Sequence, residues 1–115
     1  EARGNGLYLR ITEYLYLHYS EPVTLKTLAA DFNMNYSYLS SYFSSHMGQG
    51  INEFLNSIRV EKAKELLSSS ELSLSEIAQE IGYTDQSYFG KVFKKQTGYS
   101  PHTYRNRAKR RGETL

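Results

Sequence analysis

The chain has 115 residues, 14 Lys and Arg against 12 Asp and Glu, and no cysteine, a length that suits one ordinary domain or two very small ones. No apolar run approaches the ~20 residues of a bilayer span, and the N-terminus lacks the charged-then-apolar layout of a signal peptide. Without Cys there is no disulfide framework, thiolate metal site or thiol nucleophile, so the sequence reads as that of an intracellular, cytoplasmic protein.

A first helix is predicted from about Leu7 to Tyr19, with Leu7, Ile11, Tyr14, Leu15 and His18 on one face. It ends before Glu21-Pro22, since proline disfavours helix in the residue before it. Leu25, Leu28, Ala29 and Phe32 then fall at i, i+3, i+4 and i+7, one face of a short helix with Thr24 as N-cap. Asn33 marks a break, being a residue type that tolerates the left-handed conformation. The next helix, capped by Asn35, has Leu39, Tyr42, Phe43 and Met47 as its buried stripe and stops at Gly48. From Ile51 to Ser68 runs a continuous helix with Phe54, Leu55, Ile58, Ala63, Leu66 and Leu67 on its apolar side. At ~1.5 Å per residue it spans roughly 27 Å. Ser68-Ser69-Ser70 reads as its frayed end and a short loop.

The pattern then recurs. At an offset of 49, Leu25, Leu28, Ala29 and Phe32 fall on Leu74, Ile77, Ala78 and Ile81; after one inserted residue, Ser37, Tyr38, Leu39, Phe43 and Gly48 fall on Ser87, Tyr88, Phe89, Phe93 and Gly98. Ser73 caps the copy's first helix, with Ser73-Leu-Ser-Glu76 fitting a capping box. Gly82 marks the turn, Asp85 caps the second helix, and Phe89, Val92 and Phe93 form its buried stripe. Ser100-Pro101 opens a last helix through Tyr104 and Ala108, with proline at its first position. The expected fold is all-α, seven helices without a strand. Residues 1–49 form an N-terminal helix plus a first helix-turn-helix, 50–70 a linker helix, 71–111 a second helix-turn-helix with a C-terminal helix, and 112–115 a tail. Ala29 and Ala78 would sit where the paired helices cross.

The stretch IAQEIGYTDQSYFGKVFKKQTGYSPHTYR, within residues 74–105, resembles the signature of the AraC/XylS family of bacterial transcription regulators almost position for position. The first copy and the segment IRVEKAKELL fit as well, so the resemblance covers about residues 7–108. It implies a DNA-binding unit of two helix-turn-helix subdomains on a linker helix, each placing its second helix in a major groove on one face of the duplex. It also implies RNA polymerase as a partner. Family members usually carry an effector-sensing or receiver domain as well. This chain has no room for one, which suggests an excised fragment or a short stand-alone member.

The charge distribution suits a polyanion partner or, equally, a solvated basic tail. Residues 1–84 hold six basic and ten acidic side chains. Residues 85–111 hold eight basic ones (Lys91, Lys94, Lys95, Arg105, Arg107, Lys109, Arg110, Arg111) against Asp85. With the apolar stripes fixed, the outward set in the second copy is Gln86, Ser87, Gly90, Lys91 and Lys94. Glutamine can pair with adenine, lysine with guanine O6/N7, and serine with several bases, while a solvated polar face is the plainer alternative. By the resemblance, Gln86, Ser87, Gly90 and Lys91 are base-contacting. In the first copy the set is Tyr36, Ser37, Ser40, Ser41 and Ser44, with no Arg, Lys or Gln between Asn35 and Ser45. This half is expected to discriminate bases less, with Tyr36 stacking on a sugar or touching a thymine methyl. Expected phosphate contacts are Thr24, Ser44, Ser73, Lys94, Lys95 and Arg105.

Other residues have plainer expected roles. Arg105 apart, the 105–111 cluster either touches DNA or forms a disordered tail just beyond the last helix, the tail being the preferred reading, and Arg59 and Lys62 read as partners of neighbouring acids. Tyr38, Tyr88, Tyr83 and Tyr104 read as core. His18, His46 and His102 lack metal-ligand spacing, and Gly48-Gln-Gly50 is a helix junction rather than a nucleotide loop. No catalytic constellation, cofactor site or metal site is expected; the competing reading is a protein-docking helix-turn-helix module. The linker is expected to hold the reading helices about one duplex turn (~34 Å) apart, with some DNA bending.

Overall fold

The computed structural model describes the backbone of residues 2–114 and the side chains of residues 6–111. In chain order it contains α1 (Ala2–His18), α2 (Leu25–Asp31), α3 (Tyr36–Met47), α4 (Ile51–Ser69), α5 (Leu74–Glu80), α6 (Gln86–Thr97) and α7 (Pro101–Thr114). The described residues include no strand, as the periodicity predicts. The chain divides into two compact units, residues 1–56 and 57–115. α4 contributes its start to the first and its remainder to the second.

The two units are built by the same local devices. In the first, the Thr24 hydroxyl accepts from the Thr27 N–H at 3.1 Å, and the Thr24 N–H donates to the Thr27 hydroxyl at 3.0 Å. In the second, Ser73 and Glu76 make the same reciprocal pair at 3.1 and 2.8 Å. Each box satisfies two N–H donors that a helix start leaves unpaired. The turns also match. Asn33 (φ 54°) donates to Ala30 O and Met34 to Ala29 O, at 3.1 and 2.8 Å; Gly82 (φ 107°) donates to Gln79 O and Tyr83 to Ala78 O, at 3.2 and 2.8 Å. This is the Schellman pattern, which requires a residue that accepts a positive φ. Asn35 and Asp85 cap α3 and α6, and the left-handed Gly48 and Gly98 close them.

The core of the first unit is Ile11, Leu15, Leu28, Ala29, Leu39, Phe43, Ile51, Phe54 and Leu55; Phe43 and Phe54 meet edge to face at 5.6 Å. In the second, Phe89 and Phe93 are fully buried among Ile58, Val60, Ala63, Leu67, Ile77 and Ile81. Tyr83 stacks on Phe89, and Tyr104 packs edge-on to Phe93. Burying one such ring stabilises by about 1.5–3 kcal/mol, so the two phenylalanines anchor α6 more firmly than any polar contact on it. Ala29 and Ala78 are both buried, 5% and 2% exposed, as a helix crossing demands.

Several expectations need correction. α1 begins at Ala2 rather than near Leu7; no proline interrupts residues 2–6, and glycine weakens a helix without forbidding it. In α4, Ile51 and Val60 join the core while Leu66 is half-buried. Tyr38 and Tyr88 are not core residues: they are 57% and 50% exposed. Each lies one position before the buried stripe and leans a ring edge or face on a neighbour, Tyr42 or Tyr83. The 105–111 cluster is not a tail either, since α7 continues through it. The expected tail at 112–115 ends on Leu115, outside the described residues.

Candidate nucleic-acid interface

α6 turns its buried stripe inward, which aims Gln86, Ser87, Lys91, Lys94 and Lys95 at solvent with Gly90 half-exposed among them. The helix is capped by Asp85, whose carboxylate accepts from the Ser87 N–H at 2.9 Å, so the backbone of the first turn is held in place. Gly90 is not required by the fold, because a Cβ built there meets nothing within 4 Å. Its flatness leaves the backbone approachable from outside. Lys91, Lys94 and Lys95 form a cationic strip beside Gln86 and Ser87, so amide, hydroxyl and ammonium groups are all presented on the exposed side of the helix.

α3 presents the same geometry with different chemistry. Tyr36, Ser37, Ser41 and Ser44 are exposed and Ser40 is half-exposed. Register by register, serines 41, 44 and 45 stand where α6 has Lys91, Lys94 and Lys95. Beside this face opens a cleft of about 490 Å³ whose lining includes Thr24, Lys26, Tyr36, Ser40, Ser44 and Asn52. The sequence-predicted Thr24, Tyr36, Ser40 and Ser44 are therefore gathered around one hollow. Lys26, which the sequence reading did not single out, joins them. Its signal was available: it is the sole Lys or Arg between Thr24 and Gly48.

Arg105 is placed differently from the other expected phosphate contacts. Its Nε donates to Leu67 O at 3.1 Å and a terminal nitrogen to Ser70 O at 3.3 Å. It thereby satisfies carbonyls that the end of α4 leaves open. One turn later Lys109 pairs with Glu71 at 3.2 Å, and Arg107 lies over the Tyr99 ring at 4.7 Å. These are contacts within the second unit that the sequence reading missed; the i, i+4 spacing of Arg105 and Lys109 was the usable hint. Arg59 stands over the Tyr83 ring at 5.2 Å.

The shifted ionisations belong to the supporting packing. The bond to Asp31 pushes the Tyr14 phenol up to about 12, and burial does the same for Tyr83. Neither lies on an outward face of α3 or α6. His18 pairs with Glu21, and His46 lies tilted against Tyr42 with ring centroids 4.0 Å apart. Among the described residues, no group of three His, Cys, Asp or Glu could hold a metal ion, and no helix is long and apolar enough to cross a membrane.

Against known proteins, residues 28–107 match the helix-turn-helix domain family. The HTH-type transcriptional regulator YpdC of Escherichia coli is 34% identical over 104 residues, which are 90% of this chain and 36% of YpdC. The C-terminal domain of AraT, a response regulator from Geobacillus stearothermophilus, superposes with a TM-score of 0.81 at 41% identity, covering 84% of this chain and 81% of that one. The DNA-binding domain of AdpA, a global transcriptional factor in complex with a target DNA, gives 0.84 at 28% identity, covering 90% and 93%. The chain thus spans a little over a third of the length of YpdC.

Proposed function

The chain belongs to the AraC family of helix-turn-helix transcription regulators, and from that we propose that it binds double-stranded DNA sequence-selectively to control bacterial transcription. α3 and α6 each read a major groove, the two grooves being successive on one duplex. The observation that carries the reading is the outward face of α6, where Gln86, Ser87 and three lysines surround a glycine that nothing in the fold requires. That combination supplies base-edge donors, phosphate neutralisation and close approach together.

In this reading Lys91 donates to guanine O6/N7, Gln86 pairs with adenine, and Ser87 and the Gly90 backbone complete the contact. Lys94 and Lys95 neutralise phosphates. Ser37, Ser40 and Ser41 meet base edges in the other groove, with Tyr36 beside them. Thr24, Ser44 and Ser73 sit at phosphates. Arg105, with two of its donors already held by carbonyls of the α4 end, contributes through its remaining N–H groups. The protein-docking alternative is not favoured. Since the relatives are longer than this chain, the domain acts within a cytoplasmic regulator whose other part senses the signal and which engages RNA polymerase at the promoter.

The test is duplex binding followed by fluorescence anisotropy across a salt series, after selection from randomised duplexes. The expected result is a selected site and a steep loss of affinity with salt, log K falling by ~0.9 per neutralised phosphate for each decade. Affinity that does not respond to salt, or no selected sequence, would overturn the reading.

A further inference from the structure

We infer that the first unit reads thymine by its C5 methyl group, through the exposed rings of Tyr36 and Tyr38. The inference rests on the DNA-binding reading above and says what half of the site contains. Consider what α3 can offer a major groove. The helix from Tyr36 to Met47 holds no Arg, Lys, Asn, Gln, Asp or Glu. The side chains that distinguish guanine, adenine and cytosine by paired hydrogen bonds are therefore missing from this face. Single serine hydroxyls serve as donor or acceptor alike, so they select poorly among bases. The remaining feature that marks one base in the major groove is the thymine methyl, which is recognised by apolar contact.

Two apolar surfaces stand ready for it. Tyr36 and Tyr38 are 54% and 57% exposed, and they flank Ser37 at the N-terminal end of the helix, the end that reaches bases in helix-turn-helix docking. The two rings are placed differently. Tyr36 begins the helix and lines the cleft with Ser40 and Ser44. Tyr38 stacks on Tyr42 at 6.1 Å, and Tyr42 meets His46 in turn at a tilt, 4.0 Å between centroids. That ladder fixes the ring before binding, which removes an ordering cost from the encounter. In α6 the residue at the Tyr36 position is Gln86 and a lysine replaces Ser41, so the second unit has polar selectivity that the first lacks.

The experiment is a thymine-to-deoxyuracil scan of the selected duplex, which removes one methyl at a time and leaves base pairing unchanged. With the unaltered protein, a cluster of positions in one half of the site should lose about fourfold affinity per buried methyl. Tyr36→Ala and Tyr38→Ala should each weaken binding to the thymine duplex and erase part of the thymine-over-uracil preference in that cluster. Lys91→Ala should leave that preference intact. Because both rings are largely exposed, the tyrosine variants should still melt cooperatively, Tyr36→Ala like the parent and Tyr38→Ala slightly earlier for loss of its contact with Tyr42. Equal affinity for thymine and deoxyuracil duplexes would overturn the inference alone, even if the tyrosine variants bind weakly, because the rings would then be packing on sugars. A methyl preference that survives both substitutions would overturn it too. Failure to bind any duplex would overturn it together with the function it rests on.

Discussion

α3 and α6 have the same length, the same kind of cap and the same left-handed glycine stop, yet their outward faces differ in charge. Where α6 carries Lys91, Lys94 and Lys95, α3 carries Ser41, Ser44 and Ser45. The inward faces differ far less: Leu39 and Phe43 in one, Phe89 and Phe93 in the other, all buried. The contrast separates two demands on one helix. The stripe facing the core is fixed by packing and tolerates only apolar residues of similar size. The opposite stripe is released from that demand and records what the helix meets outside. The duplicated module keeps its scaffold and gives the cationic strip to one copy, so the exposed positive charge of these paired helices concentrates in the second unit.

The comparison can be tested from its strongest element downward. Ala29→Leu and Ala78→Leu should both destabilise, by about 1–3 kcal/mol each through overpacking of a helix crossing, as read by thermal or urea melting. A large loss in one unit and none in the other would show that the scaffolds are less alike than their geometry. Lys91→Ala should cost about 1–3 kcal/mol at one base position and relax selection there. Its counterpart Ser41→Ala should cost about 1 kcal/mol or less; equal effects would erase the asymmetry. Lys94→Ala should make the salt slope shallower by about one, and Ser44→Lys should make it steeper by about one. If the transplanted charge leaves the slope unchanged, α3 does not lie along a phosphate backbone.

Gly90→Ala should raise helix stability by about 0.5–1 kcal/mol, since the new methyl meets no protein atom. It should also lower DNA affinity, because the same methyl enters the close approach. Finally, the two capping boxes differ in ionisation. The bonds to the Ser73 backbone and hydroxyl hold the Glu76 carboxyl below its usual 4.5. Its contribution is therefore complete above about pH 4.5 and is lost as pH falls through the lower folded value. The melting difference between the parent and Glu76→Ala should shrink on acidification. That of Thr27→Ala, whose hydroxyl box does not titrate, should stay constant.

Local signals carried most of the fold because each is decided within a few residues. Thr24, Asn33, Asn35, Gly48 and their counterparts Ser73, Gly82, Asp85 and Gly98 mark helix starts and stops through bonds to backbone groups at most four positions away. The apolar stripes of α3 and α6 follow from a period of 3.6, and their complements delimit the candidate interface at Tyr36 to Ser44 and Gln86 to Lys94. Periodicity is less informative at the boundary of a stripe. Tyr38 and Tyr88 lie there, and an aromatic ring at that angle can fold inward or stay out; in both copies it stays out against one neighbouring ring.

The sequence by itself determined seven helices, their duplication and the charge contrast between the copies, since composition and short-range bonding are properties of the linear chain. The tertiary structure alone decided the tasks of Arg105, Lys109 and Arg59. A long cation is drawn equally to a phosphate, a carboxylate, a carbonyl or an aromatic face. Which one it meets depends on partners such as Leu67 and Ser70, far away in the chain and brought within reach only when the helices pack.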